Sequence, residues 1–403
     1  MADRLLTTAA RGWVRMPTAG RITVVYLLSR LVTTGFLALA AAHSSPLSRF
    51  GADATVDEYV VGWDAQWYWW VAEHGYPAEL PRTESGDVAE NAWAFMPVYA
   101  FLAKVAGFGN WGSGALLVSL VAGLLACFAL HRLLRDRIGA PAALWAVAFF
   151  SSGPLAALFQ VGYAESLFLL FLLISLDLAL RHRYALLYLL IPVMGFTRPG
   201  VLAFSLFLAL HGIVRWARRR VDPLPVSHVA HIVSLGLFAA VVGFSWQVIA
   251  AVVTGEPEAY LQTELAWRRN WIQDASADFI PFDGFVLGAQ FWFAQWGLPA
   301  WAAVVALLLL VGGAAWLLLR SAHVRRLGPD LRLWSASYLL YLLAVFFPQS
   351  STLRLLLPLT PLWGAAVPRS LGWRWAVLGA CLVTQWLWIH SVYGLSQTFW
   401  QVP

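Results

Sequence analysis

Apolar stretches of about twenty residues follow one another along almost the whole 403-residue chain, and no other feature constrains its fold as much. A helix of that length crosses roughly 30 Å of hydrocarbon, where each backbone polar group must find its partner within the protein. Hydrophobic residues make up 60% of the chain and charged residues 12%, against about a quarter charged in an ordinary soluble domain, so little chain remains for a water-soluble unit. The reading is one all-α polytopic membrane domain over residues 1–403, which excludes a soluble globular enzyme. The net charge of +6 rests on 26 arginines and the single Lys104, scattered between apolar runs, so it reports membrane topology rather than nucleic-acid binding. Cys127 and Cys381 both lie in apolar runs and predict neither a disulfide nor a thiolate metal site.

Arg4, Arg11, Arg15 and Arg21 precede the first apolar run at 22–42, which is too long for a cleaved secretory signal. Because cytoplasmic loops collect Arg and Lys, that end is predicted inside. The short apolar piece at 93–105 is predicted to be an interfacial or re-entrant helix within an outer loop spanning 43–110. The remaining runs then alternate to give eleven crossings, with a second outer loop at 254–297 and the C-terminus outside. On this map 19 of the 26 arginines are cytoplasmic, whereas a full crossing at 93–105 would export every later basic cluster. Several crossings (184–194, 335–347, 355–367) are short or interrupted, as in helices that line a cavity. There is no P-loop or fixed-period repeat, which argues against a nucleotide-driven pump.

The first outer loop carries GWDAQWYWWVAEHGYP at 62–77. At helical spacing Asp64, Trp67, Tyr68 and Val71 share a face, which directs a carboxylate with an aromatic face towards membrane or protein. That placement is expensive unless something polar binds there; the alternative is a helix-capping aspartate with tryptophans lying at the interface. Glu165 begins a crossing and reads either as a cap or as a site residue. Arg198 in GFTRPG and Arg354 in QSSTLRLLLP interrupt apolar stretches and each needs an anion, either Asp64 or Glu165 or a phosphate. YLQTELAWRRNW adds Glu264 with Arg268 and Arg269, two further candidates for phosphate, or for snorkelling to headgroups. Trp63, Gln66, Tyr68, Tyr163 and His74 complete the candidate substrate-binding set, although a lone loop histidine is commonly structural. The histidines are dispersed and no HExxH or DxD occurs, so no metal and no cofactor are predicted.

Four blocks occur in order: Trp63-Asp64 with its aromatics and EHGYP (73–77), AFMPVYAFL (94–102), GYAESLFLL (162–170) and GFTRPGVL (195–202). Together they resemble the PIG-V family of mannosyltransferases, in the form of its actinobacterial-type members. The resemblance implies a GT-C-type glycosyltransferase bundle of about eleven transmembrane helices, with interfacial helices in the first outer loop. It implies Asp64 as the catalytic aspartate and polyprenyl-phosphate-mannose as donor. Gln66-Trp67-Tyr68 departs from the residues many relatives carry there, and the acceptor, a lipid or a glycan, does not carry over. The resulting expectation is an inverting transfer of mannose on the outer face of the plasma membrane, in contact with membrane lipids and forming an α-mannosidic bond. A transporter or flippase of lipid-linked sugar and a non-catalytic envelope-assembly protein are the alternatives. The almost purely apolar inner halves of the runs, Asp177 near Arg181 excepted, favour a site open on one side only.

Overall fold

The computed structural model describes residues 13, 15–269, 272 and 279–395. Arg4 and Arg11 and the last eight residues lie outside them. The chain runs through α1 (Thr18–Ala42), α2 (Val56–Val60), α3 (Asp64–His74), α4 (Pro97–Ala106), α5 (Trp111–Ile138), α6 (Ala140–Ser152) and α7 (Glu165–Leu180). It continues through α8 (Leu187–Gly195), α9 (Val201–Ala217), α10 (Val226–Thr254), α11 (Ala259–Arg269), α12 (Asp283–Gln295) and α13 (Ala300–Arg320). The last elements are α14 (Ala322–Arg325), α15 (Pro329–Val345), α16 (Thr352–Leu355), α17 (Trp363–Ala366) and α18 (Leu371–Ile389), with short 3₁₀ turns between several of them. Among the described residues the only β-pairing is one isolated bridge, Arg82 with Val88. The protein is an all-helical polytopic membrane bundle.

Helix ends follow local chemistry. The Asn110 side chain accepts the Ser113 N–H to start α5, and Gly139 at φ 83° ends it and turns the chain straight into α6. Thr55 and Glu58 form a reciprocal capping box on α2.

Thirteen of the sixteen residues of α7 are buried, which makes it the axis of the bundle and carries Glu165 into its interior. Its neighbour α5 comes close to α1 at Gly123, where a Cβ would lie 2.6 Å from the Tyr26 hydroxyl. At the periphery, α13 buries only Ala303 and Leu318 and exposes Leu308, Leu309 and Leu310, as a lipid-facing helix does.

The two ends of the bundle differ. At one end Asp177 pairs with Arg132 at 2.9 Å and with Arg181 at 2.8 Å, Arg181 reaches Asp136, Arg215 reaches Asp222, and Arg326 donates to the Gly364 and Val367 carbonyls. At the other end Asp64, Glu165, Arg198 and Arg354 meet. Successive segments therefore run from Glu165 to Arg181, back to Arg198, and again to Arg215, the alternation expected for these crossings. The helix α4, at ten residues, is too short to cross unaided. Val98 N–H bonds the Phe196 carbonyl at one end of it, while Gly107 packs against Asn110 at the other, beside the residues that enclose Asp64.

Against eleven expected crossings, five helices among the described residues are long and apolar enough to span unaided: α1, α5, α10, α13 and Leu371–Leu395. The others are shorter. The 355–367 run is broken into a 3₁₀ segment and short α-helices because Pro358 and Pro361 cannot sustain a regular helix. Pro192 lies inside the nine-residue α8.

One membrane-level arginine, Arg30, escapes the sequence reading. It is 5% exposed, donates to the Ala156 carbonyl at 2.6 Å, the Ser151 carbonyl at 2.5 Å and Gln160 Oε1 at 3.3 Å, and stacks on Tyr26 and Phe159. It thereby holds the link after α6, a short 3₁₀ helix at Ala156–Phe159, that leads to Tyr163 and Glu165, and backbone carbonyls take the place of a counter-ion.

Candidate functional site

The site begins with a strained residue. Trp63 has φ 55° and ψ −127°, a conformation costing a non-glycine residue about 1–3 kcal/mol, and it directly precedes Asp64. Arg49 holds the indole with its guanidinium 4.5 Å from the ring, and Phe50 meets it edge-on. The Asp64 side chain makes no capping bond to α3. It pairs instead with Nη1 of Arg354.

Gly162 lets the second element of the site reach the first. A Cβ there would lie 2.9 Å from that of Ala65 and 3.0 Å from the Val60 carbonyl, so only glycine allows 162–165 to lie against 60–65. Tyr163 then places its hydroxyl 3.4 Å from the Asp64 backbone N–H, which donates to it, and its ring 5.3 Å from the Arg354 guanidinium carbon. Glu165 follows at the first turn of α7, with Oε1 3.4 Å from Arg354 Nε and 3.4 Å from Arg198 Nη2. These side chains are buried or nearly so, at 4% exposure for Glu165, 10% for Arg198 and 12% for Arg354; Asp64 is more open, at 25%. The result is a charge-balanced group of two carboxylates and two guanidinia. Burial opposes the charge on Arg354, but the facing Asp64 and Glu165 outweigh it and hold its pKa above the ordinary value. The Tyr338 hydroxyl fixes the Arg354 segment by donating to the Leu355 carbonyl at 2.8 Å.

Of the residues expected at the site, Trp63, Asp64, Tyr68, Tyr163, Glu165, Arg198 and Arg354 come together. Tyr68 is buried within the field of Glu165 and Arg198, and Gln66 accepts a 3.0 Å bond from Arg49 at the cavity edge. Glu264 is accessible yet enclosed on most sides by protein; this loss of solvent raises its pKa to about 7, the Tyr260 hydrogen bond opposes the shift, and the Asp64 charge adds to it.

Three expected residues do not join this group. His74 ends α3, ten residues and about 15 Å of helix rise from Asp64, stacked on Trp70 at 4.2 Å. Arg268 is buried against Phe347, and Arg269 donates to the Val88 carbonyl at 2.5 Å, tying α11 to the first loop. Arg269 therefore ties the two loops together, whereas Arg268 packs against the segment that follows α15.

Asp64 opens into a cavity of about 980 Å³, walled by Trp63, Trp67, Trp69, Trp70, Trp111 and Trp267 with Arg49, Gln66, Glu90, Asn110 and Gln349. The sequence reading singled out neither Trp111 and Trp267 nor Arg49, because their approach to α3 depends on long-range packing with no local signal. No group of His, Cys, Asp and Glu able to hold a metal occurs among the described residues.

No protein-family model matches the chain, and no curated protein sequence matches it. The PIG-V resemblance therefore stands on the four sequence blocks. Among solved structures, the crystal structure of the Archaeoglobus fulgidus oligosaccharyltransferase, a complex with zinc and sulfate, is similar at a TM-score of 0.42 and 13% identity over 92% of this chain. The overlap takes in 53% of that chain, so this protein spans about half its length.

Proposed function

We propose that the protein is a GT-C-type glycosyltransferase that moves mannose from polyprenyl-phosphate-mannose to an acceptor hydroxyl, with inversion to an α-mannosidic bond. The observation that carries this reading is the position of Asp64: a partly open carboxylate lining a large cavity and paired with Arg354, which shares Glu165 with Arg198. An acceptor hydroxyl is a weak nucleophile, and Asp64 takes its proton as the hydroxyl oxygen attacks the anomeric carbon and the bond to the lipid phosphate breaks. The departing phosphate gains negative charge, which Arg354 and Arg198 stabilise more in the transition state than in the ground state. Both guanidinia are already paired with carboxylates, so the phosphate competes with Asp64 for Arg354 as it binds and thereby frees the base. Sugar identity and donor class come from the sequence resemblance; the arrangement of acid and base supports the reaction type.

The purified protein, given labelled polyprenyl-phosphate-mannose and a panel of lipid and glycan acceptors, is expected to release polyprenyl phosphate and label an acceptor. Donor that binds and stays intact with every acceptor would support transport instead.

The cavity is proposed to face the outside of the plasma membrane, with the arginine-rich end in the cytoplasm. Cys127 and Cys381 are buried, so cysteines introduced at Ser85 and Arg219 report cleanly on the two ends. An impermeant thiol reagent on intact cells is expected to label position 85 and spare 219, and the reverse pattern would invert the topology.

A further inference from the structure

The walls of the Asp64 cavity carry more chemistry than the proposed transfer uses. We propose that this cavity is a saccharide-binding site for an uncharged glycan of two or more rings. Its identification as the acceptor site rests on the transfer reaction proposed above; the binding itself does not.

The indoles converge from separate parts of the chain. Trp63, Trp67, Trp69 and Trp70 lie on or beside α3, Trp111 starts α5, and Trp267 belongs to α11. The opposite face of α3, with Ala65, Tyr68, Val71 and Ala72, is buried in the core. Tryptophans acting as lipid anchors would point away from the molecule. These instead enclose a common space, where Trp67 meets Trp267 edge-on at 6.0 Å. Indole faces suit the C–H faces of pyranose rings, and the amides of Gln66, Asn110 and Gln349 offer both donors and acceptors to hydroxyls.

Charge separates a neutral sugar from the other ligands an aromatic cavity can take. The charged lining residues are Arg49, Asp64 and Glu90, and Asp64 is paired with Arg354, so the lining carries no excess of either charge. Arg49 is also engaged with Trp63 and Gln66. A charged ligand finds no excess of opposite charge on this lining, and a quaternary ammonium would make no use of three amides. At about 980 Å³ the cavity lies at the upper limit of small-molecule sites, room for more than one ring.

The test is direct binding to the detergent-purified full chain without donor, by calorimetry or saturation-transfer NMR. The probes are methyl α-mannoside, an α-mannobiose, an α-mannotriose, a glucose disaccharide, inorganic phosphate and choline. The di- and trisaccharides are expected to bind more tightly than the monosaccharide, with choline inert and phosphate not displacing them. Trp69 and Trp70 are 43% and 45% exposed, so Trp69→Leu and Trp70→Leu should fold normally, a point checked by melting temperature. Each is expected to weaken oligosaccharide binding about three- to tenfold, with Phe in place of Leu recovering part of it. Oligosaccharide affinity unchanged in both Leu variants would overturn the assignment, as would a wild-type chain that binds choline or phosphate but no glycan. Oligosaccharide binding that is lost in the tryptophan variants, in a chain that transfers no sugar, would strike the transferase reading and leave the saccharide site standing.

Discussion

Asp64→Asn is expected to give a folded protein that still binds donor and transfers sugar about 10²–10⁴-fold more slowly. The amide keeps the shape of the carboxylate and can still accept a bond from Arg354, so position is preserved. What it loses is the ability to take a proton. Because Asp64 is a quarter exposed, removing its charge leaves Arg354 in contact with Glu165 and near solvent, and the stability cost is small. The rate is to be read as kcat with labelled donor at saturation, beside Glu165→Gln. Glu165 is 4% exposed and lies between two guanidinia, so it serves to hold them; its variant should lose stability first and rate second. A well-folded Asp64→Asn enzyme working near the wild-type rate beside an inactive Glu165→Gln would transfer the base role to Glu165.

The sequence predicts a helical membrane bundle because burial in lipid writes itself into composition: twenty apolar residues in a row have few other fates. It also marks Asp64, Glu165, Arg198 and Arg354, because charge at membrane level is costly enough to stand out against Leu and Ala. Their alternatives are decided by packing. That Arg354 meets both carboxylates while Arg268 and Arg269 turn away depends on where the 348–354 turn lands against α3 and α7. No local pattern encodes that. Arg30 shows the converse limit: its partners are the carbonyls of a broken helix more than 120 positions away, invisible to any scan for a counter-ion. The aromatic cavity is a third case. A run such as WYWW reads equally well as an interfacial belt or a binding wall until Trp111 and Trp267 are seen to close it.

Arg354→Ala is expected to have two separable effects. Asp64 and Glu165 then face each other's charge with Arg198 alone nearby, and stripping one member from a buried ion cluster costs about 3–5 kcal/mol of stability, read as a lower melting temperature in detergent. Donor use should also fall below detection, because the guanidinium that neutralises the leaving phosphate is gone. The double variant Arg354→Ala/Glu165→Gln removes one charge of each sign and should recover much of the melting temperature without recovering transfer. Arg354→Lys restores the cation but not the planar fork that spans a carboxylate and a phosphate together, so it should fold well and regain only part of the rate. Were the double variant to recover both stability and transfer, Arg354 would be a counter-ion for the carboxylates alone. The phosphate would then have to be held by Arg198, which approaches the same Glu165 oxygen from the other side.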